Sequence, residues 1–179
     1  MHEAFSEGGW LALMCALTVI GSGWGALVLL PLFAAPPTRR FAASLALTLA
    51  ASAVLVFVLK ALIRRPRPYL SVPGVHALVF EAPTDFSCPS GHAAGSFTFA
   101  MFVAVVLVAH ARRSPTKKKR RILLSMVALI AALGIAMSRC ALGVHFPADI
   151  VFGALLGMAS GGLGARWHLR RVQRVDPPT

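Results

Sequence analysis

Charge is scarce in this sequence: 13% of its 179 residues are Asp, Glu, Lys or Arg, while 57% are apolar. A soluble chain of this length cannot hide so much apolar surface, so lipid must be part of its solvent. Low charge with high apolar content also excludes disorder. Acid is scarcer still, at 6 Asp+Glu against 18 Lys+Arg and a formal net charge of +12, and no acidic cluster is offered to a divalent metal. The three cysteines, Cys15, Cys88 and Cys140, stand at no metal-ligand spacing and exclude both a zinc module and a disulfide-rich scaffold. Membrane strands alternate apolar and polar residues, and no such alternation is present. The segment before the first apolar run carries Glu3 and Glu7 where a signal peptide needs basic residues, and reads as an uncleaved anchor.

Five stretches, near 10–34, 41–63, 91–110, 122–138 and 147–165, are long enough to cross a hydrocarbon core of about 30 Å as helices. Each is apolar around its whole circumference and rich in Leu, Ala and Val. The length argues for one domain over residues 1–179. The fold class expected is therefore all-α, an integral membrane helical bundle of five long spans. Gly153, Gly157 and Gly161 recur every four residues in the last span, as do Gly21 and Gly25 in the first, which predicts close helix packing.

A net charge of +12 in a soluble chain would suggest nucleic acid, but the placement of the charges argues against that partner. Arg39 and Arg40, the group Arg112, Arg113 and Lys117 to Arg121, and Arg166, Arg170, Arg171 and Arg174 fall on one side of the spans. Lys60, Arg64, Arg65, Arg67 and Arg139 fall on the other, with Glu3, Glu7, Glu81 and Asp85. By the positive-inside rule the first group is cytoplasmic, which puts the N-terminus outside and the C-terminus inside. Anionic lipid head groups are a secondary partner for such clusters.

All five basic residues of the second group sit beside span ends, where ionisable groups are costly and functional by default. Three clusters emerge: Lys60 with Arg67-Pro68, then Cys88-Pro89-Ser90-Gly91-His92, then Ser138-Arg139 with His145 and Asp149. Two arginines and a lysine suit a tetrahedral phosphate, the arginine forks binding bidentately. The Ser90 and Gly91 amides at a helix start add donors. Asp149, four residues after His145, is placed to fix the imidazole tautomer and leave the other ring nitrogen to attack. His92 then serves as general acid.

These motifs, in this order and spacing over residues 60–149, resemble those of the type 2 phosphatidic acid phosphatases, a superfamily that includes vanadium haloperoxidases. The resemblance implies that His145 attacks phosphorus to form a phosphohistidine, that Asp149 orients it and that His92 is the acid. Lys60, Arg67, Ser90, Gly91, Arg139 and Ser138 would surround the phosphoryl group, with no metal and no other cofactor. The family's membrane branch has a six-helix core, so a sixth helix is expected either as a short interfacial one in residues 2–9 or within the loop 69–88.

The resemblance further implies a lipid phosphatase of the bacterial inner membrane, its site on the periplasmic or outer face and its substrate a lipid phosphate or diphosphate. The short chain most resembles undecaprenyl diphosphate phosphatases. Gly91 stands where those often have Asp, and where phosphatidylglycerophosphate and lipid A phosphatases often have Gly; phosphatidic acid is a further alternative. A non-catalytic lipid-phosphate transporter would need the anion site but neither nucleophile nor acid, and the haloperoxidases are soluble. Arg64, Arg65 and Tyr69 are expected to help receive substrate, the last also as an interfacial anchor with Trp10 and Trp167. His2, His76, His110 and His168 read as surface or interface residues. Convergence of the motifs would bring Cys88 and Cys140 within reach of a disulfide.

Overall fold

The computed structural model describes residues 8–22, 30–79, 81–113 and 115–175. Helices α1 (Gly8–Ile20), α2 (Leu30–Ala34), α3 (Pro36–Ile63), α4 (Pro68–Ser71), α5 (Gly91–Arg113), α6 (Lys118–Ala141) and α7 (Pro147–Val175) follow in order, with a 3₁₀ turn at Pro115–Lys117 before α6. Proline starts several of them: Pro36 and Pro37 begin α3, Pro68 begins α4 and Pro147 begins α7, where the missing N–H costs nothing. The chain leaves α3 through Arg64 in the left-handed conformation, φ 51° and ψ 34°.

Among the described residues four helices, α3, α5, α6 and α7, are long and apolar enough to cross a membrane, one fewer than the spans expected. The first expected span, 10–34, is not one helix: α1 stops at Ile20 and α2 starts at Leu30, with 23–29 outside the described residues. Three glycines, Gly21, Gly23 and Gly25, follow Ile20 in the sequence, and glycine is a poor helix former. The other four spans are helical throughout, and α3 and α7 run past the boundaries read from hydropathy. A further helix within the loop 69–88 is the single turn α4, while residues 2–7 lie outside the described residues.

Helix α5 is central and packs against α3, α6 and α7; α1 leans on α6 and α2 on α3. Large apolar side chains point outward, such as Phe57 at 74% and Leu62 at 73% exposure, because lipid, not water, is their solvent. Burying them would gain no hydrophobic energy there, so close packing of small residues must hold the bundle. The glycine ridge supplies it. A Cβ at Gly153, Gly157 or Gly161 would run into the carbonyl oxygen of Ser90, Ala94 or Thr98 in turn, so α7 lies with its backbone against that of α5. Gly21 is similarly tight against Ile135 of α6.

The bundle alternates in direction, so the C-terminal ends of α3 and α6 and the N-terminal ends of α5 and α7 meet at one end. Lys60, His92, Arg139 and Asp149 sit on those four ends. At the opposite end Leu45, Phe102, Val106 and Ala165 form a core cluster. His168 is buried beside it at 5% exposure, its Nδ1 3.0 Å from Ser44 Oγ and its ring against Phe41 and Phe102. The expected surface role for His168 is thereby corrected: one hydroxyl partner and two aromatic neighbours make it a core residue.

Candidate active site

His145 sits in the turn between α6 and α7. Gly143, at φ 72°, allows the chain to reverse, and the Arg139 carbonyl accepts the N–H groups of Val144 (3.2 Å) and His145 (3.3 Å). Pro147 opens α7, and Asp149 Oδ2 reaches back to accept the Phe146 N–H at 2.9 Å, the side-chain half of a helix cap. The same oxygen lies 3.7 Å from His145 Nδ1, a contact that directs the ring without a formed hydrogen bond. His145 Nε2 is thereby turned to Arg67 Nη1, 3.4 Å away. Burial pushes the His145 imidazole below its ordinary pKa, with Asp149 opposing and Arg67 adding to the shift. A neutral ring with its proton on Nδ1 presents the Nε2 lone pair.

Asp149 is fully buried and held from several sides. Arg65 Nη1 donates to its Oδ1 at 2.9 Å, and the Arg65 guanidinium lies 4.1 Å over the Phe146 ring. The Asp149 carbonyl accepts the Ser90 N–H at 3.0 Å, which ties the start of α7 to the start of α5. Arg65 is thus part of the support for the histidine. Arg64 is exposed and turns back onto its own helix, Nε to Ala61 O at 2.9 Å. Tyr69 donates its hydroxyl to the Pro83 carbonyl, which pins the loop.

A cavity of about 270 Å³ lies between these helix ends, lined by Lys60, Arg67, Gly91, His92, Arg139 and His145 among others. His92 Nε2, Arg139 Nε and His145 Nδ1 are buried there without a hydrogen-bond partner. Arg67, at 3% exposure, donates to the carbonyls of Asp85 (2.7 Å) and Val144 (2.8 Å). Among the described residues no three His, Cys, Asp or Glu side chains gather as a metal site.

The other expected residues stand behind this cavity. Ser90 is fully buried, its N–H given to Asp149 and its Oγ 3.5 Å from the Ala93 N–H in the first turn of α5. Its amide is therefore engaged within the protein, and Gly91 is the motif's cavity-lining residue at the helix start. Ser138 belongs to a relay: Arg139 Nη1 donates to Thr18 Oγ1 (3.0 Å), the Thr18 hydroxyl pairs with Ser138 Oγ (3.1 Å), and Ser138 donates to the Ile135 carbonyl (2.7 Å). Cys88 and Cys140 are both free thiols, and burial pushes Cys88 up; the disulfide is absent.

Two residues escape sequence reasoning. Thr18, in an apolar span, has only its hydroxyl to mark it. Asp85 was counted merely as an acid on this side, yet its carboxylate bridges Lys60 Nζ, at 2.5 Å, and Arg67 Nη2. Burial opposes its charge, but the bonds from Lys60 and Arg67 prevail and hold it below the usual carboxylate range.

Comparison with known proteins gives consistent relatives. The model of the PAP2 superfamily matches residues 41–173. Decaprenylphosphoryl-5-phosphoribose phosphatase of Mycobacterium tuberculosis is 33% identical over 161 residues, covering 87% of this chain and 78% of that protein. Undecaprenyl-diphosphatase of Sulfolobus acidocaldarius is 31% identical over 120 residues, 67% of this chain and 52% of that protein. The crystal structure of a transmembrane PAP2 type phosphatidylglycerolphosphate phosphatase from Bacillus subtilis superposes with a TM-score of 0.74 at 25% identity, covering 94% of this chain and 83% of that one.

Proposed function

This chain belongs to the PAP2 superfamily, with long apolar helices like those of its transmembrane phosphatase relatives, and from that premise we propose a phosphohistidine mechanism in which His145 is the nucleophile. The observation that carries the reading is the seating of His145, with Asp149 behind Nδ1 and Arg67 beside Nε2. The phosphoryl group occupies the cavity between Lys60, Arg67 and Arg139, whose charges balance its oxygens. The Nε2 lone pair attacks phosphorus, the bond to the leaving oxygen breaks, and His92 gives that oxygen a proton. Water then attacks the phosphohistidine, passing a proton to His92 as phosphate departs from Nε2. The positive cluster supplies the charge stabilisation, so no step is assigned to a metal.

The substrate proposed first is undecaprenyl diphosphate, cleaved to undecaprenyl phosphate, with the polyprenyl tail in the bilayer. Its support is the undecaprenyl-diphosphatase among its relatives. A second reading, a phosphomonoester on a polyol head group, is favoured by Asp85 at the cavity: a half-exposed carboxylate accepts hydroxyl hydrogens and repels a second phosphate. The names of the mycobacterial and Bacillus relatives are of that kind. By charge bias the site faces the periplasm of a bacterial inner membrane.

Phosphate release from undecaprenyl diphosphate, a polyprenyl phosphoribose phosphate, phosphatidylglycerophosphate and phosphatidic acid, in one detergent, tests both levels. Turnover should be abolished in His145→Ala with the fold retained, survive EDTA and be inhibited by vanadate, which imitates the transition state. Activity persisting in His145→Ala would refute the mechanism. A tenfold preference for the polyol phosphates, about 1.4 kcal/mol, would replace the first substrate by the second.

A further inference from the structure

At the end of the bundle opposite the catalytic cavity, a groove of about 460 Å³ opens between α3 and α7. Ser44 on its floor precedes Lys60 by sixteen residues of one helix, a separation of about 24 Å, so the two cavities are distinct. Arg39, Arg40 and Arg171 line the groove. Its floor is built: His168 is buried and bonded to Ser44, itself 4% exposed. Its wall is apolar and open, with Leu47 at 58% and Trp167 at 42% exposure. The Arg171 guanidinium lies 5.3 Å over the Trp167 ring, and Arg39 is steadied by donation from Nε to the Phe33 carbonyl at 3.2 Å.

We infer that this groove binds the phosphodiester head group of an anionic phospholipid, with the start of an acyl chain against Leu47 and Trp167. Positive charge converges there while the described carboxylates, Glu81, Asp85 and Asp149, all belong to the catalytic end. Guanidinium forks match phosphate oxygens, and basic pockets between membrane helices are suited to acidic head groups. The apolar wall distinguishes a lipid from a free ion: inorganic phosphate would leave Leu47 and the Trp167 ring uncovered, whereas a phospholipid satisfies both halves. Trp167 sits where an interfacial tryptophan is favoured, at the junction of apolar helix and basic end.

The tryptophan also gives the test. In full-length protein with Trp10→Phe and Trp24→Phe, Trp167 is the remaining fluorophore of the three. Phosphatidylglycerol with brominated acyl chains should half-quench it at a mole fraction about fivefold lower than brominated phosphatidylcholine, a difference of about 1 kcal/mol. Arg39→Gln with Arg171→Gln should erase that preference. Ala43→Leu, which fills the groove from an exposed position without touching a charge, should weaken both lipids. Vanadate at the catalytic cavity should change nothing. Equal quenching by the two lipids, or a preference that survives both variants, would overturn the assignment. So would displacement of the phosphatidylglycerol by an equal concentration of inorganic phosphate, which would make the groove an ion site. Neither readout depends on turnover, so the phosphatase mechanism can fail without this proposal.

Discussion

Asp85 holds Lys60 and Arg67, the two cations that the proposed mechanism gives to the phosphoryl group, and on that proposal its carboxylate has to yield them before substrate settles. Asp85→Asn removes the competing charge, and vanadate should then inhibit about fivefold more tightly, on the order of 1 kcal/mol for one partly solvated charge. Weaker inhibition in the variant would mean that Asp85 positions the cations instead of competing for them. The seating of His145 gives a second expectation. A buried imidazole with a lowered pKa is neutral above that value and charged only below it. Nitrogen NMR of histidine-labelled enzyme, with His145→Asn for assignment, should therefore find His145 less than half protonated at pH 6.5, where an ordinary histidine is half protonated. A half-protonated ring would contradict the burial argument. His145, His92, Arg67 and Arg139 were legible from motif spacing because that spacing reflects which helix ends must meet. Asp85 and Thr18 were not, since each acts through a contact across many residues that nothing local encodes.

At the scale of elements, the contact of α7 with α5 sets how far Asp149 and His145 stand from His92. Gly157 is the middle of the ridge, with the Ala94 carbonyl where a side chain would begin. Gly157→Ala should cost about 1 to 3 kcal/mol, read as a lowered Tm in detergent, and Gly157→Leu should prevent stable folding. An unchanged Tm in the alanine variant would show that the helices separate easily. The helices α3, α5, α6 and α7 were legible because unbroken apolar runs leave a lipid-embedded backbone no alternative to internal hydrogen bonds. The end of α1 was not: averaged over a span-length window, the apolar runs on either side outweigh Gly21 to Gly25, and hydropathy measures transfer into lipid without measuring the backbone freedom of glycine. His168 shows the converse error, a polar residue whose burial depends on Ser44 from another helix.

On the scale of the whole molecule, the larger group of basic residues, from Arg39 and Arg40 to Arg170, Arg171 and Arg174, lies at the end of the bundle opposite the cavity of His92 and His145, because the long helices alternate in direction. A reporter fused after Thr179 should behave as cytoplasmic and one inserted near Pro83 as external; the reverse pattern would place turnover on the cytoplasmic leaflet. The segregation was readable in the sequence, since the connections on one side carry far more Lys and Arg than those on the other, where Glu81 and Asp85 offset part of the charge. The groove at the basic end was not, since it needs α3 and α7 side by side.

The catalytic cavity has one wall, Ala53, Val56 and Phe57, contributed by α3, and the same Phe57 is among the most exposed side chains of the protein. For the lipid substrate proposed above, the enzyme would therefore sample its substrate within a plane, and the variable governing its rate would be surface density in the leaflet. Added inert detergent or neutral lipid should then slow turnover at constant total substrate, and a Michaelis constant in molar units would describe the preparation more than the protein.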